Sequence, residues 1–327
     1  MANDFPGSGR HTRPTRWTRP LLFYLITWLS TTWVGMIAYG NGTWASGLFF
    51  SIPLMTILTC HELGHYIQTR RYRVPASLPL FIPLPLPPFG TMGAIIRMDA
   101  SIPNIKALYD IGISGPLAGL VPTLIFLVLG ISLSSLEPLV MEQGGILFGE
   151  PLLFYWVSSL FFDRSLPGMD LVLHPIGMAA WTGLFLTSLN LIPLSQLDGG
   201  HVFYALLKKK AGYFSLALFG TIGLVVILFA QWQWSLLLVL VAIFGVEHPP
   251  TCDDSPDLGR ARKLLGWSTL AFILIGFTPT PIIEMELPQE APKPVYRSYS
   301  LRDPGGIATD SLTHNVATNS FLREPQL

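Results

Sequence analysis

Charged side chains are scarce in this chain. Asp, Glu, Lys and Arg together make up 12% of the 327 residues, whereas apolar residues make up 50%. Soluble globular proteins carry about 25% charged residues. The formal net charge is +0, so the chain lacks the basic surplus that binds nucleic acid. The composition excludes an electrostatic nucleic-acid binder and predicts a protein that crosses a membrane several times.

Cysteine is almost absent as well. The two cysteines, Cys60 and Cys252, are far apart in the sequence and stand in no metal-binding spacing. Frameworks of disulfides need several cysteines in a short, secreted chain. We therefore exclude a disulfide-stabilised fold and interpret both residues as buried, inert thiols.

Long apolar stretches dominate what is present. A membrane-spanning helix needs about 20 apolar residues. Seven stretches are candidates: 21–39, 47–69, 108–132, 176–207 (interrupted), 212–230, 234–246 (short) and 264–283. The predicted fold class is an all-α polytopic membrane protein with about six to seven transmembrane helices, and the last stretch stays open because it contains two prolines. Residues 151–162 are apolar but brief, which favours an interfacial or partly buried helix.

The termini are polar and flank a membrane core that we assign to residues 21–283. Residues 1–20 form a basic polar leader without a cleavage site, so the first apolar segment is interpreted as a retained anchor. A short organelle transit peptide remains the alternative for this leader. Residues 284–327 contain few large apolar side chains and are predicted to be disordered.

Basic residues fall on alternate loops, which predicts the orientation of the chain. They place the N-terminus in the cytoplasm, together with three later loops, whereas the acidic loop 133–175 lies on the opposite side. The basic residues are Arg10, Arg13, Arg16, Arg19, then Arg70, Arg71, Arg73, then Lys208, Lys209, Lys210, and finally Arg260, Arg262 and Lys263. The predicted location is a bacterial inner membrane, with an organelle membrane as the alternative.

Proline breaks the chain between the second and third spans. Residues 75–98 contain six prolines, which forbid a regular helix, yet their other side chains are mostly apolar. Residues 90–98 then have the composition of a strand. Irregular backbone at membrane depth is tolerated where protein or a water-filled cavity covers it. We predict a re-entrant loop followed by a short strand, with an extended surface loop as the alternative.

The second span carries the motif His-Glu-x-x-His at residues 61–65. Positions i and i+4 share a helix face, so His61 and His65 could bind one zinc ion while Glu62 acts beside it. The motif is short and occurs by chance in many chains. Within an apolar span chance is less favoured, because ionisable groups are costly there.

A catalytic zinc site needs a third protein ligand and an open position for water. Asp99, Asp110 and Asp198 are the carboxylates to compare. Asp198 lies at the interruption of the fourth apolar run, at a depth similar to that of His65, and Pro193 with the following glycine pair is expected to unwind the helix there. This depth matching favours Asp198 as the ligand, although a helix-terminus cap would also account for it.

Two further residues have predicted catalytic roles. Glu62 is the candidate general base that takes a proton from a zinc-bound water. Asn190 could donate a hydrogen bond to an oxyanion or a substrate carbonyl, or could satisfy backbone groups at a kink. His174 and His248 are interpreted as solvated, and His201 as a supporting residue rather than a ligand.

Taken together, these motifs resemble the site-2 protease family of intramembrane zinc metalloproteases. The matching segments are His61–His65, Gly93–Arg97, Gly112–Gly119, Asn190–Pro193 and Leu197–His201. The proline-rich segment resembles the subgroup with plant chloroplast and related bacterial members. The loop 133–175 is too short for the PDZ insertion that many bacterial members carry.

The resemblance implies one zinc ion per chain, held by His61, His65 and Asp198, with Glu62 and Asn190 assisting catalysis. It also implies that an unwound substrate segment pairs with the strand around Gly90, Gly93, Ala94 and Ile95.

The predicted function is therefore a zinc endopeptidase that cuts a transmembrane segment of a client protein in the bilayer, near the cytoplasmic face. The alternatives are a catalytically inactive membrane scaffold or chaperone, and a metal transporter. The sequence determines neither the client nor the oligomeric state.

Overall fold

The chain folds around long helices, with short strands between them. The structure is a computed structural model that describes residues 17–98, 101–138, 145–163 and 168–285. Most of the predicted leader, and the predicted tail from residue 286 onward, lie outside the described residues. The helices are α1 (Thr18–Ala38), α2 (Trp44–Arg71), α3 (Ile105–Ser132), α4 (Leu152–Ser158), α5 (Pro175–Asn190), α6 (Asp198–Leu207), α7 (Lys210–Leu228), α8 (Ser235–Phe244), α9 (Gly259–Ala271) and α10 (Ile273–Gly276). The strands are β1 (Leu80–Pro83), β2 (Thr91–Ile95), β3 (Ser135–Pro138), β4 (Gly145–Phe148), β5 (Met169–Val172) and β6 (Ile282–Met285).

Four helices among the described residues are long and apolar enough to cross a membrane: α1, α2, α3 and α7. The remaining apolar stretches form shorter helices. The stretch 264–283 in particular contains the end of α9, one further turn and the start of a strand, because Pro279 and Pro281 do not continue a helix. The count of six to seven spans stays a prediction.

The core is a bundle in which α2 packs against α1, α3 and α5. Asn104 caps the N-terminus of α3, because its side-chain oxygen accepts a hydrogen bond from the Ala107 amide at 3.0 Å. Glycine permits the close contact of α2 with α3: a Cβ added to Gly64 would lie 2.4 Å from the Ser114 carbonyl oxygen. The His-Glu-x-x-His motif is therefore placed against α3 by backbone-to-backbone packing.

The interrupted apolar run forms two helices, as predicted, but the position of the break differs. Helix α5 ends at Asn190, residues 191–197 form an irregular turn, and α6 begins at Asp198. Gly199 and Gly200 therefore lie inside α6 and do not unwind it. A Cβ on Gly199 would lie 1.9 Å from the Leu191 carbonyl oxygen, so the glycines let the turn fold back over the first turn of α6.

The proline-rich segment forms an antiparallel hairpin. Strand β1 pairs with β2 in the register Leu80↔Ile95 and Phe81↔Ala94, which confirms the short strand expected there. The hairpin packs on α1 through the Tyr24 and Phe81 rings, whose centroids are 5.1 Å apart. Whether this segment re-enters a membrane stays a prediction.

Two more two-stranded sheets form from segments that follow α3. Strand β3 pairs with β5, and β4 pairs with β6, both antiparallel. The expectation of a single strand was therefore wrong for the described residues. Each of these strands is four residues long, too short for a periodic pattern, and each pairs with a partner distant in sequence.

The ends of the bundle also carry different loops. Tyr72 after α2, Asp110 in α3 and Arg262 in α9 meet at one end, so two basic segments that were grouped on one side do share an end. At the opposite end the His174 amide donates a hydrogen bond to Ser134 Oγ at 3.0 Å.

The two cysteines differ in exposure. Cys252 is exposed, so the prediction that both thiols are buried was wrong for this residue, and Cys60 is half-buried.

Candidate metal centre

Helix α2 places two imidazoles side by side. His61 and His65 are one turn apart, and their Nε2 atoms are 3.2 Å from one another. Both side chains are buried. The i, i+4 spacing therefore brings two metal-ligating nitrogen atoms to one point, as the sequence predicted.

Asp198 completes the cluster from the first turn of α6. Its Oδ2 atom lies 3.0 Å from His61 Nε2, and its Oδ1 atom lies 3.1 Å from His65 Nε2. One ligand atom from each of the three residues lies within 4.8 Å of the others. Because α6 begins at Asp198, the carboxylate lies at the N-terminal end of a short helix that packs against α3.

The donor atoms fit a zinc ion. Ligand atoms about 2.1 Å from a tetrahedral zinc lie about 3.4 Å from one another, close to the separations seen here. His65 Nδ1–H donates to the Ile111 carbonyl oxygen at 2.8 Å, which leaves the Nε2 lone pair directed at the cluster. Two imidazole nitrogens and a carboxylate are ligands typical of catalytic zinc. Residues His61, His65 and Asp198 thus form a group that could hold one metal ion.

Two glycines of α3 make room for the imidazoles. A Cβ on Gly115 would lie 2.0 Å from His65 Nε2, and a Cβ on Gly119 would lie 3.0 Å from the Cβ of His61. The motif 112–119 carried the family resemblance, and the structure shows its physical role: larger residues would occupy the space of the ligands.

The three candidate ligands line a cavity of about 480 Å³. Glu62 and Asn190 both line it together with the three candidate ligands. Glu62 is buried, and Asn190 is the last residue of α5, at the edge of the break before Asp198. The structure therefore brings together all five residues predicted to be ligands or catalytic groups.

The predicted substrate-binding residues divide into two pairs. Ala94 and Ile95 line the cavity, whereas Gly90 and Gly93 are not among its lining residues. Gly90 is buried against α1, where its carbonyl oxygen accepts a hydrogen bond from Ser30 Oγ at 2.6 Å. Its φ of +74° favours glycine at this turn of the hairpin.

Sequence reasoning missed the segment that covers the cavity. Residues 245–254, here called the strap, follow α8, and four of them line the cavity: His248, Pro249, Pro250 and Thr251. The strap is held by backbone hydrogen bonds at both ends. The Ser195 amide donates to the Val246 carbonyl at 2.9 Å, and the Cys252 amide donates to the Ile102 carbonyl at 3.0 Å.

Two of the histidines interpreted as solvated make specific contacts. The His248 ring packs edge-on against the buried His201 ring, with centroids 4.7 Å apart, and also contacts Tyr204. His174 caps α5, because its Nδ1 accepts a hydrogen bond from the Ile176 amide at 3.2 Å. The adjacent Pro175 at the start of α5 was the available signal for a cap.

Fold and site together define a class: a helical protein with apolar, membrane-length helices and a group of two histidines and one aspartate that could hold a metal ion. The sequence comparison gives the family. The chain belongs to peptidase family M50, whose model matches residues 49–230. This confirms the family predicted from the motifs.

Relatives in plants and archaea bear similar names. The chain is 31% identical over 227 residues to "Probable zinc metalloprotease EGY1, chloroplastic" of Oryza sativa subsp. japonica, covering 67% of this chain and 38% of that protein. It is 30% identical over 246 residues to the protein of the same name in Arabidopsis thaliana, covering 72% and 43%. It is 27% identical over 216 residues to "Zinc metalloprotease MJ0392" of Methanocaldococcus jannaschii, covering 64% and 50%. The matched regions span half or less of each relative's length.

Proposed function

We propose that this protein is a zinc-dependent endopeptidase that hydrolyses a peptide bond in a transmembrane segment of a client protein. The observation that carries the proposal is the convergence of His61, His65 and Asp198 beside Glu62 in a cavity of a membrane-length helix bundle. Water-dependent chemistry inside such a bundle favours a substrate that is itself embedded in the membrane.

The residues divide the chemistry between them. Zinc, when bound, polarises the scissile carbonyl and makes water a nucleophile near neutral pH. His65 is held in the orientation for ligation by the Ile111 carbonyl. The Glu62 carboxylate takes a proton from the attacking water while the water oxygen bonds to the carbonyl carbon of the substrate. The protonated Glu62 then returns this proton to the amine nitrogen as the C–N bond breaks.

Two further groups would bind the substrate in this scheme. Asn190 lines the same cavity and could donate its amide N–H to the developing oxyanion. Strand β2 borders the cavity through Ala94 and Ile95, and substrate strands commonly bind by adding to a sheet edge. We propose that an unwound client segment pairs there and presents an extended backbone to the metal centre.

In this proposal the protein is a multi-pass membrane protein, and its metal site lies near the membrane face that carries the basic loops. That face would be cytoplasmic in a bacterial inner membrane. The names of the plant relatives keep an organelle membrane as the alternative.

A Glu62→Gln variant tests the proposal. In vesicles that contain a tagged single-span substrate, we expect cleavage to fall by about 10²–10⁴-fold while zinc content is unchanged, because the general base is lost but the ligands remain. Glu137→Gln, at an exposed carboxylate of β3, is the matched control and should cleave normally. Equal cleavage by wild type and Glu62→Gln would sink the mechanism, and metal flux without proteolysis would favour a transporter.

A further inference from the structure

A partly buried carboxylate, one residue from a contact of the candidate metal site, is held from two sides. Arg262 of α9 binds Asp110 of α3 in a bidentate pair, with Nε 2.9 Å from Oδ1 and Nη2 3.0 Å from Oδ2. The Tyr72 hydroxyl donates a third hydrogen bond to the same carboxylate from the end of α2. The Asp110 side chain is 14% exposed, so these partners replace most of its hydration.

The main chain of α9 is attached at the same place. The Tyr109 hydroxyl donates to the Arg262 carbonyl oxygen at 2.6 Å. A Cβ on Gly266, one turn further along α9, would lie 2.9 Å from the Tyr109 ring. Helix α9 is therefore fixed to the second turn of α3 by a side chain, a backbone carbonyl and close ring packing.

The next residue of α3 contacts the metal centre. Ile111 is completely buried, and its carbonyl oxygen accepts both His65 Nδ1–H and the Ser114 hydroxyl, each at 2.8 Å. A carbonyl that receives a ligand's second N–H fixes the ring orientation and the tautomer of that ligand. The atom that orients His65 is thus one residue from the carboxylate that Arg262 and Tyr72 hold.

We propose that Arg262 and Tyr72 are positioning residues of the metal centre, acting through Asp110. By fixing the second turn of α3, they hold the Ile111 carbonyl where it directs His65 Nε2 toward His61 and Asp198. The inference rests on the proposed metal site. It assigns a role to α9, which lies beyond residues 49–230 matched by the family.

Geometry separates this role from a simple surface tether. Exposed ion pairs contribute little to stability. Lys263, the next residue on α9, forms such a pair with Asp257 at 2.6 Å, and both side chains are largely exposed. Lys263→Ala is therefore the matched control for Arg262→Ala. Each variant loses one cation of α9 that pairs with a carboxylate, but only Arg262 pairs with a residue of α3.

The experiment measures metal binding by the purified full chain in detergent. We expect Arg262→Ala to raise the zinc dissociation constant about tenfold, and to change the absorption spectrum of the cobalt-substituted protein, because His65 is less well oriented. Tyr72→Phe, which removes a single hydroxyl, should shift both readouts in the same direction by less. Arg262→Lys should restore part of the affinity, since it keeps the charge but loses the bidentate fork.

Hydrogen exchange of the metal-free protein shows whether each variant still folds and where its backbone is loosened. Hydrogen exchange at residues 105–115 should increase in Arg262→Ala and stay at the wild-type level in Lys263→Ala. Wild-type affinity and cobalt spectrum in both Arg262→Ala and Tyr72→Phe would overturn the positioning role and leave the protease proposal intact. A wild-type chain that binds no zinc, or binds it equally after Asp198→Ala, would overturn the metal site and this inference with it.

Discussion

Single residues of α3 determine whether the ligands of α2 can meet. Gly115 is the clearest case, because its Cα faces His65 Nε2 so closely that no side chain fits between them. The His-Glu-x-x-His motif provides the donor atoms, but the glycine motif 112–119 provides their space. The two motifs thus form one site although they stand about fifty residues apart in sequence.

Gly115→Ala should displace a ligand. The added Cβ would lie 2.0 Å from His65 Nε2, so the ring must move, and we expect zinc affinity to fall at least about tenfold. Gly223→Ala in α7, where no atom lies within 4 Å of the added Cβ, is the matched control. Metal titration compares the two; identical affinities would mean that His65 is not a ligand in this position.

Glu62 lines the same cavity as the three candidate ligands. Its proposed role as general base rests on this placement. The Glu62→Gln experiment therefore separates ligation from proton transfer, since the amide keeps the shape of the side chain but cannot take up the proton.

The strap is a segment near the candidate site that the apolar pattern did not indicate. It joins α8 to α9, covers the cavity, and packs His248 against His201 and Tyr204. The Tyr204 hydroxyl also donates to Asp254 at 2.7 Å, which fixes the far end of the strap to α6. The strap therefore forms part of the cavity wall beside the candidate metal site.

His248 in the strap should make the free energy of unfolding decrease as the pH falls. Burial, and after it the charge of the neighbouring His201, lower the pKa of His248 to about 4. In the unfolded chain a histidine titrates near about 6.5, so unfolding takes up a proton between these values. The stabilisation is fully present above about pH 6.5 and is lost as the pH falls toward 4.

His248→Gln should reduce this loss. For metal-free protein in detergent, we expect the free energy of unfolding to decrease less from pH 7 to pH 5 in the variant than in wild type. Chemical denaturation at several pH values measures it, and the pH 7 to pH 8 range, where the histidine is neutral in both states, provides the baseline. Parallel pH profiles for the two proteins would show that His248 is not buried as described.

The whole molecule has two unlike ends. One carries Tyr72, Asp110, Arg262 and the strap, and the other carries the β3–β5 sheet and the start of α5. The metal centre lies in the half of α2 that is nearer the basic end. Two of the basic segments that the sequence predicted on one side, 70–73 and 260–263, share this end.

Thiol labelling of sealed vesicles can test this arrangement. Cys252 in the strap is exposed at the basic end, and Ser135 in β3 is exposed at the other. In a background with Cys60→Ser, we expect an impermeant maleimide to label Cys252 from one side only, and Ser135→Cys (with Cys252→Ser) from the opposite side. Labelling of both positions from the same side would contradict the predicted topology.

The local parts of the site were accessible from sequence, because they depend on short-range periodicity. The spacing of His61 and His65 follows from the helix itself, and the break near Asp198 follows from proline. Depth matching then selected Asp198 over Asp110, and the structure places Asp110 in the contact with Arg262 instead. Four long apolar helices were also found near their predicted bounds.

Other features were decided only by tertiary structure. The strap, the paired strands β3–β6 and the Asp110–Arg262 contact join segments far apart in the chain, and no periodic pattern encodes such contacts. The sequence by itself determined which atoms could bind a metal and roughly how deep they lie, since helix geometry and hydropathy are local. Packing of α2, α3 and α6 decided that these atoms meet within 4.8 Å, because only close glycine contacts between helices bring their backbones near enough.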